Sequence, residues 1–371
     1  MNIKNMLLKN FRSYKELQLE FSPSLNIFTG DNAQGKTNII EAIYYAALGT
    51  SYRIKNDVDL IAWQENEAVI NIKFLRMDIE NNVKFYLNKI KRRQIILNGE
   101  NIRQRELPGN IKIVMFSPED LLLVKGSPSL RRRFLNIELS QTDIFYYDNL
   151  VKYNKIVTQR NNLLKKIREK KQSINLLDVW DEQLFDVAVF IWKKRYEAVK
   201  KLSDFAAVMQ KNISDNKEIL TMNYKIHNID LLNNDIADLK SLYKDKIRQN
   251  RMEDIRRGST GIGPHHDDIE LFINEINLKN FGSQGQQRTA VLALKLAELE
   301  YIKNTSGQYP ILLLDDVMSE LDEKRRKKMV LFFKDKKIQT FITATDISMF
   351  DDIKDARIYS VSLGHAEVIK C

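Results

Sequence analysis

The sequence predicts an α/β fold: a phosphate loop on a mixed sheet at both ends of the chain, with a mostly α-helical lobe between them. Three observations carry that prediction. A strand–loop–helix run spans Leu25 to Tyr45, helical patterns poor in Gly and Pro run from about Leu130 to Arg251, and an apolar run at Pro310–Leu314 closes on two aspartates. The corresponding boundaries are 1–130 for the first part of the phosphate-loop domain, 131–250 for the lobe and 251–371 for the return.

The opening residues alternate at Leu17, Leu19 and Phe21, so two strands joined at Arg12-Ser13-Tyr14-Lys15 are expected, with Arg12 read as a neighbour of the nucleotide or, more commonly for such a residue, as an exposed turn residue. Next comes Gly30-Asp31-Asn32-Ala33-Gln34-Gly35-Lys36-Thr37, which fits G-x-x-x-x-G-K-[ST]. The apolar Leu25–Thr29 run precedes it, and Ile39, Ile40, Ile43 and Ala47 follow at helical spacing. Two glycines let successive N–H groups wrap a phosphate at a helix N-terminus. Lys36 would then reach β- and γ-phosphates, and the Thr37 hydroxyl would ligate Mg²⁺.

Ser51–Asn56 reads as loop, and Ala68–Phe74, Val83–Leu87 and Ile95–Asn98 as strands, with a tight turn at Asn98-Gly99 and the basic run Lys91-Arg92-Arg93 nearby. Ile111–Phe116 reads as a strand, followed by Ser117-Pro118-Glu119-Asp120 as a helix start. In the lobe, the stripe Trp180, Leu184, Val187, Ile191, Ala198, Leu202 and Phe205 predicts one helix over Asp178–Met209. No sustained heptads of the kind that build long coiled coils are present. Its basic clusters Arg131-Arg132-Arg133, Lys165-Lys166, Lys170-Lys171 and Lys193-Lys194-Arg195 are mostly expected to be solvated faces, and Arg131, Arg132, Arg133, Lys165 and Lys166 are the candidates for nucleic-acid contact.

Gly261–Asp268 reads as a polar turn before a strand at Ile269–Ile273, with no further His at ligand spacing to make its His and Asp pairs a metal site. Phe281–Arg288 opens a helix over Thr289–Tyr301, a second plausible anion site. The run Ile311–Leu314 fits a buried parallel strand, and Asp315 and Asp316 at its end fall where α/β sheets place ligand chemistry. Asp315 would hold Mg²⁺, and Asp316 would orient the attacking water.

Composition narrows the class. A chain of 371 residues, 43% hydrophobic and 29% charged, is a globular protein with a sizeable core. No apolar run is long enough to span a bilayer and the first residues lack a signal-peptide pattern, so a cytoplasmic protein is expected. The one cysteine, Cys371, excludes an intrachain disulfide and a multi-cysteine metal site. A net charge of +10 favours polyanionic partners.

Specific strings go further. Asn10-Phe11-Arg12-Ser13-Tyr14, the phosphate loop with Asn38–Ile43, and Phe116–Leu121 are among them, as are Leu123–Pro128 with Arg131–Leu135, and Gln159-Arg160-Asn161. Phe281–Arg288 and Leu313–Asp316 with Ser319–Asp322 complete the set. In these strings the chain resembles the RecF family, bacterial recombinational-repair ATPases related to the structural-maintenance-of-chromosomes (SMC) and ABC-type ATPases. The resemblance implies an ABC-type head formed by the two chain ends. Ser283, Gln284, Gly285 and Gln286 would be its signature motif, reaching the γ-phosphate of ATP held by a second copy. It further implies an ATP-dependent homodimer, a clamp on duplex or gapped DNA without sequence preference, and weak DNA-stimulated ATPase activity with Mg²⁺. Recombinase loading alongside RecO and RecR, and support of the SOS response, belong to the same implication.

Three departures from the pattern qualify the expected chemistry. Asp316 stands where most ABC-type ATPases carry Glu, and Thr345-Asp346 where transporters carry a switch histidine, so slow hydrolysis acting as a timer is expected. His266 replaces an expected Arg, so a charge contact would be missing there. The competing readings are the ATPase subunit of an ABC transporter and a nucleotide-binding DNA scaffold without turnover.

Overall fold

The computed structural model describes residues 1–229, 238–350 and 356–370; Cys371 lies outside them. The chain runs β1 (Asn2–Phe11), β2 (Tyr14–Glu20), β3 (Leu25–Thr29), α1 (Lys36–Leu48), β4 (Glu67–Arg76), β5 (Ile79–Asn88), β6 (Gln94–Leu97), β7 (Glu100–Ile102) and β8 (Ile113–Phe116). There follow α2 (Leu122–Lys125), α3 (Pro128–Thr142), α4 (Ile144–Arg168), α5 (Leu177–Ile213), β9 (Leu220–Lys225), α6 (Leu239–Arg257), β10 (Asp268–Ile273), β11 (Ile276–Asn277) and α7 (Leu278–Phe281). The last third is α8 (Gln284–Ser306), β12 (Ile311–Asp315), α9 (Glu323–Asp335), β13 (Thr340–Ala344), β14 (Ala356–Ser362) and β15 (His365–Lys370).

These elements form two compact units, one of Met1–Asp120 with Glu298–Cys371 and one of Leu121–Ala297. In the first, β2-β1-β4-β5-β6-β7 make an antiparallel sheet and β15-β14-β3-β13-β12-β8 a second one. Five strands of the second sheet run parallel, and β15 pairs antiparallel at its edge. Helix α1 touches strands of both sheets, β4 and β5 on one side and β8, β12 and β13 on the other. That position explains its composition: Ile39, Ile40, Ala42, Ile43, Tyr44, Tyr45, Ala46 and Ala47 are all buried, as a helix apolar on every side must be. One apolar cluster therefore joins both sheets through α1. The β6–β7 turn is made by Asn98 (φ 51°) and Gly99 (φ 88°), the left-handed pair that a twisted two-residue hairpin requires.

The second unit packs α3, α4, α5 and α6 with the small sheet β11-β10-β9. Helix α5 is unbroken over 37 residues, a little longer than the apolar stripe predicts. Two expectations change here. The lobe is not helical throughout to Arg251, because β9 pairs antiparallel with β10, Met222 opposite Leu271 and Tyr224 opposite Ile269. The partner strand lies more than forty residues away, so only the fold shows why this short alternating run is a strand. The same pairing, with the Arg131–Asp268 ion pair at 2.7 Å, binds the stretch after residue 250 to the helices. The division of the chain accordingly falls at 120/121 and 297/298 rather than at 130/131 and 250/251.

Much of the segment read as a polar turn, Gly261–Asp268, is also buried, with His266 exposed. Asp267 is fully buried and accepts from Trp192 Nε1 (2.7 Å), Tyr224 OH (2.5 Å) and the His227 N–H (3.1 Å). Arg160, likewise fully buried, holds Asp181 and Asp254 at 2.7 Å each and donates to Thr260 Oγ1. Buried charges persist only when paired in this way.

Candidate functional site

Strand β3 ends at Thr29 and the loop to α1 turns on two glycines. Gly30 has φ 145°, and a Cβ there would lie 2.2 Å from the Val361 carbonyl oxygen. Gly35, at the helix N-cap, has φ 114°, and the Tyr14 hydroxyl donates to its carbonyl at 3.1 Å. Both positions exclude other residues on steric grounds. Asp31, Asn32 and Ala33 are exposed on the loop's outer side, and Gln34 Oε1 accepts from the Leu363 N–H at 2.8 Å. Lys36 lies back over the loop, donating to the Gly30 carbonyl at 2.5 Å and the Asp31 carbonyl at 2.7 Å. Burial lowers its pKa, while Asp316, Asp31 and Asp315 act to raise it.

The aspartates close β12 beside this loop. Asp315 Oδ1 accepts from the hydroxyls of Thr37 and Thr343, each at 2.9 Å, and Oδ2 accepts from the Tyr52 hydroxyl at 2.9 Å. The Asp316 N–H donates to Thr343 Oγ1 at 2.9 Å, and Asp316 has a left-handed conformation (φ 55°) and is exposed. Thr37 and Asp315 thus present adjacent oxygens, the hard donor set that Mg²⁺ takes alongside phosphate and water. The residues present fit that ion.

The partners of two residues here escaped sequence reading. Tyr52 fell in a stretch read as loop, and nothing in its spacing points at an aspartate far along the chain. Burial, then the Asp315 charge, pushes its hydroxyl pKa well up, so it stays a donor. Arg12 is not a free turn residue. Its guanidinium grips the fully buried Glu41 of α1 through Nε (2.9 Å) and Nη2 (2.8 Å), while Ser51 Oγ donates to the same carboxylate at 2.5 Å. The one signal was an acid, Glu41, within the otherwise apolar run Ile39–Leu48 of α1.

Ser283, Gln284, Gly285 and Gln286 belong to the other unit, where they start α8. The Gln286 N–H donates to Ser283 Oγ (3.2 Å) and the Ser283 N–H to Gln286 Oε1 (3.0 Å), a reciprocal cap that leaves Ser283, Gln284 and Gly285 exposed. The basic candidates separate sharply. Arg131 is buried in a bidentate pair with Asp268 (2.7 and 2.9 Å), and Arg132 donates to the Asp267 carbonyl at 2.7 Å, so these two are structural rather than free for a polyanion. Arg195, from another basic cluster, is buried against Asp267 and Tyr146. Arg133, Lys165 and Lys166 are exposed.

Comparison with known proteins decides the family. The RecF/RecN/SMC N-terminal domain family matches residues 2–370. A curated protein named DNA replication and repair protein RecF, from Clostridium botulinum (strain Okra / Type B1), is 45% identical over 368 residues, covering 98% of this chain and 99% of its own. The chain belongs to the RecF family. A second RecF, from Halothermothrix orenii, is 41% identical over 360 residues, with 96% of each chain covered. Among solved structures, the recombination mediator protein RecF-ATPrS of the RecFOR pathway superposes with a TM-score of 0.92 at 32% identity, covering 99% of this chain and 98% of that one. An SMC head bound to the C-winged helix domain of ScpA matches at TM-score 0.54 and 18% identity and shares the fold alone. The expected ABC- and SMC-type ATPase head, with its helical lobe and no long coiled coil, is therefore the fold of this RecF-family chain. Among the described residues no helix is long and apolar enough to cross a membrane.

Proposed function

We propose that this RecF-family protein is a cytoplasmic ATP-dependent DNA-binding protein of recombinational repair and replication. Two copies would close on DNA when ATP is bound and separate after slow hydrolysis. The observation that carries the reading is the junction of Thr37 with Asp315 at 2.9 Å, which joins the phosphate loop to the carboxylate strand through side chains 278 positions apart.

In this reading the N–H groups from Gly30 to Thr37 cradle the phosphates and Lys36 turns from the loop carbonyls to the β- and γ-phosphates. Thr37 and Asp315 would hold Mg²⁺, which would neutralise charge on the β- and γ-phosphates. Asp316 is exposed and orients the attacking water, its backbone held by Thr343. Ser283, Gln284 and Gly285, exposed at the start of α8, and the half-buried Gln286 would complete the pocket of a second copy, giving two shared sites about a two-fold axis. Differential contact with the γ-phosphate would bias the open and closed states. Exposed Arg133, Lys165 and Lys166 remain candidates for phosphate contacts on DNA, and RecO and RecR are the expected partners in recombinase loading at gaps and in the SOS response.

Phosphate release with DNA, compared among wild type, Lys36→Ala and Asp315→Ala, tests the chemistry: both variants should fall to background, and equal rates in all three would remove the ATPase and leave a scaffold. Sizing with ATP, with ADP and without nucleotide tests the dimer, which should form with ATP alone.

A further inference from the structure

Beside the phosphate loop in one unit, and beside Ser283 in the other, stands a large apolar side chain left in solvent. Leu363 is 83% exposed and Phe281 75%. Single exposed apolar residues are ordinary on a surface, but these two are fixed in places that an isolated chain gains nothing from.

Leu363 occupies the turn between β14 and β15. Strand β14 runs parallel to β3 with Ser360 opposite Thr29, and Ser362 pairs with His365, so the two-residue turn Leu363-Gly364 emerges at the end of the sheet that carries the phosphate loop. Both residues are left-handed (φ 46° and 78°), a pair that Asn and Gly adopt readily and leucine does not. The turn is anchored by the bond from the Leu363 N–H to Gln34 Oε1, and a Cβ on Gly364 would lie 2.5 Å from the Ser13 carbonyl oxygen. A leucine both exposed and left-handed is unfavourable twice over, and such a residue persists where a further contact offsets the strain.

Phe281 ends α7 two residues before Ser283, at most about 7 Å from it along the chain. Its corner is fixed as well. The Asn280 N–H donates to Asn277 Oδ1 (3.2 Å), the Gly282 N–H to the Leu278 carbonyl (3.1 Å) and Gln287 Nε2 to the Gly282 carbonyl (3.0 Å). Leu278, in the same turn of helix, is fully buried, while the Phe281 ring stays in water.

In the two-copy reading, Ser283 of one copy meets the γ-phosphate held by the other copy's loop. Phe281 of the first then arrives at the rim where Leu363 of the second is tied to that loop through Gln34. We propose that Phe281 of each copy packs on Leu363 of the other when ATP closes the pair, an apolar clasp at the edge of each shared site. The proposal rests on the two-copy reading above and names two residues that meet in it. A two-fold axis makes the contact twice. Water leaves both side chains only in the closed pair, so the clasp favours closing without changing how a single copy holds ATP.

The test measures association of the full chain by analytical ultracentrifugation with Mg²⁺ and a non-hydrolysable ATP analogue. Phe281→Ser and Leu363→Asn should each weaken the pair about a hundredfold, about tenfold for each copy of the contact. A fluorescent ATP analogue should bind single copies of both variants as it binds wild type. Leu363→Asn should keep or raise the thermal midpoint, because asparagine accepts the left-handed turn. The double variant should associate no more weakly than the weaker single variant, since both substitutions remove one contact. When Phe281→Ser chains are mixed with Leu363→Asn chains, the mixed pair keeps one native contact and should be about tenfold tighter than either variant's own pair.

Unchanged association of either variant overturns the proposal, as do losses that multiply in the double variant, a mixed pair no tighter than its parents, or a lowered thermal midpoint in Leu363→Asn. A loss in Phe281→Ser that follows the identity of the nucleotide base, with Leu363→Asn pairing normally, assigns the ring to the base and overturns it too. Wild type that stays single with the analogue overturns the two-copy reading itself, a separate result.

Discussion

Removing the Arg12 guanidinium should loosen the phosphate-loop helix. Glu41 is fully buried in α1 while the Arg12 side chain is 20% exposed, and the pair is bidentate. Breaking a buried pair by truncating one partner costs roughly 3–5 kcal/mol. Ser51 remains at 2.5 Å and Arg53 at 3.5 Å, and water reaches part of the Arg12 site, so for Arg12→Ala about 2–3 kcal/mol is expected. A chain of two units need not unfold as one, so the assay is amide hydrogen exchange on peptides covering α1. At ~1.4 kcal/mol per decade, exchange there should quicken by about thirtyfold to 150-fold. Arg12→Lys should recover only part of this, since an ammonium cannot make the fork. In a cycle with Glu41→Gln, the double variant should lose at least about 1 kcal/mol less than the sum of the singles. Unchanged exchange in α1, or strict additivity in the cycle, would show that the grip on Glu41 does not hold the helix.

Tyr52→Phe removes the donor to Asp315 Oδ2 and should raise the Mg²⁺ concentration needed for tight nucleotide binding by about tenfold, read with a fluorescent nucleotide; an unmoved midpoint contradicts the role. Gly30→Ala would force a Cβ to within 2.2 Å of the Val361 carbonyl, adding to about 1–3 kcal/mol of backbone strain. It should abolish nucleotide binding and lower the thermal midpoint. His265 is held at about 4 by burial, with His266, Arg132 and Arg195 also lowering it and the Thr260 carbonyl opposing. Its folded pKa lies below the unfolded one, so its contribution to stability is complete above about pH 6.5 and is lost as pH falls toward 4. Denaturation of wild type and His265→Gln between those values should show a shallower pH dependence in the variant, and parallel curves would contradict the assignment.

The phosphate loop and the aspartate-ended strand were legible in the sequence because their signals are local. A phosphate loop declares itself in eight consecutive residues, since glycine spacing and helix start act within one turn of backbone. The apolar run ending in Asp315-Asp316 does so because a strand buried on both faces has no polar alternation to blur it. What sequence reading lost were long-range consequences. Arg131, Arg132 and Arg195 have the composition of a basic face, yet Asp267 and Asp268 draw all three inward. Strand β9 has too few residues to outweigh the helices around it and exists because β10 supplies its hydrogen bonds.

The amino-acid order by itself determined the phosphate-loop motif, the α/β class and the long helix α5, because each depends on residues within a few turns of one another. Tertiary structure alone decided which cations are drawn inside, that Tyr52 meets Asp315 and Arg12 meets Glu41, and where the chain divides. Those outcomes depend on which distant side chains meet, and a buried carboxylate must take whichever donor the fold brings within reach.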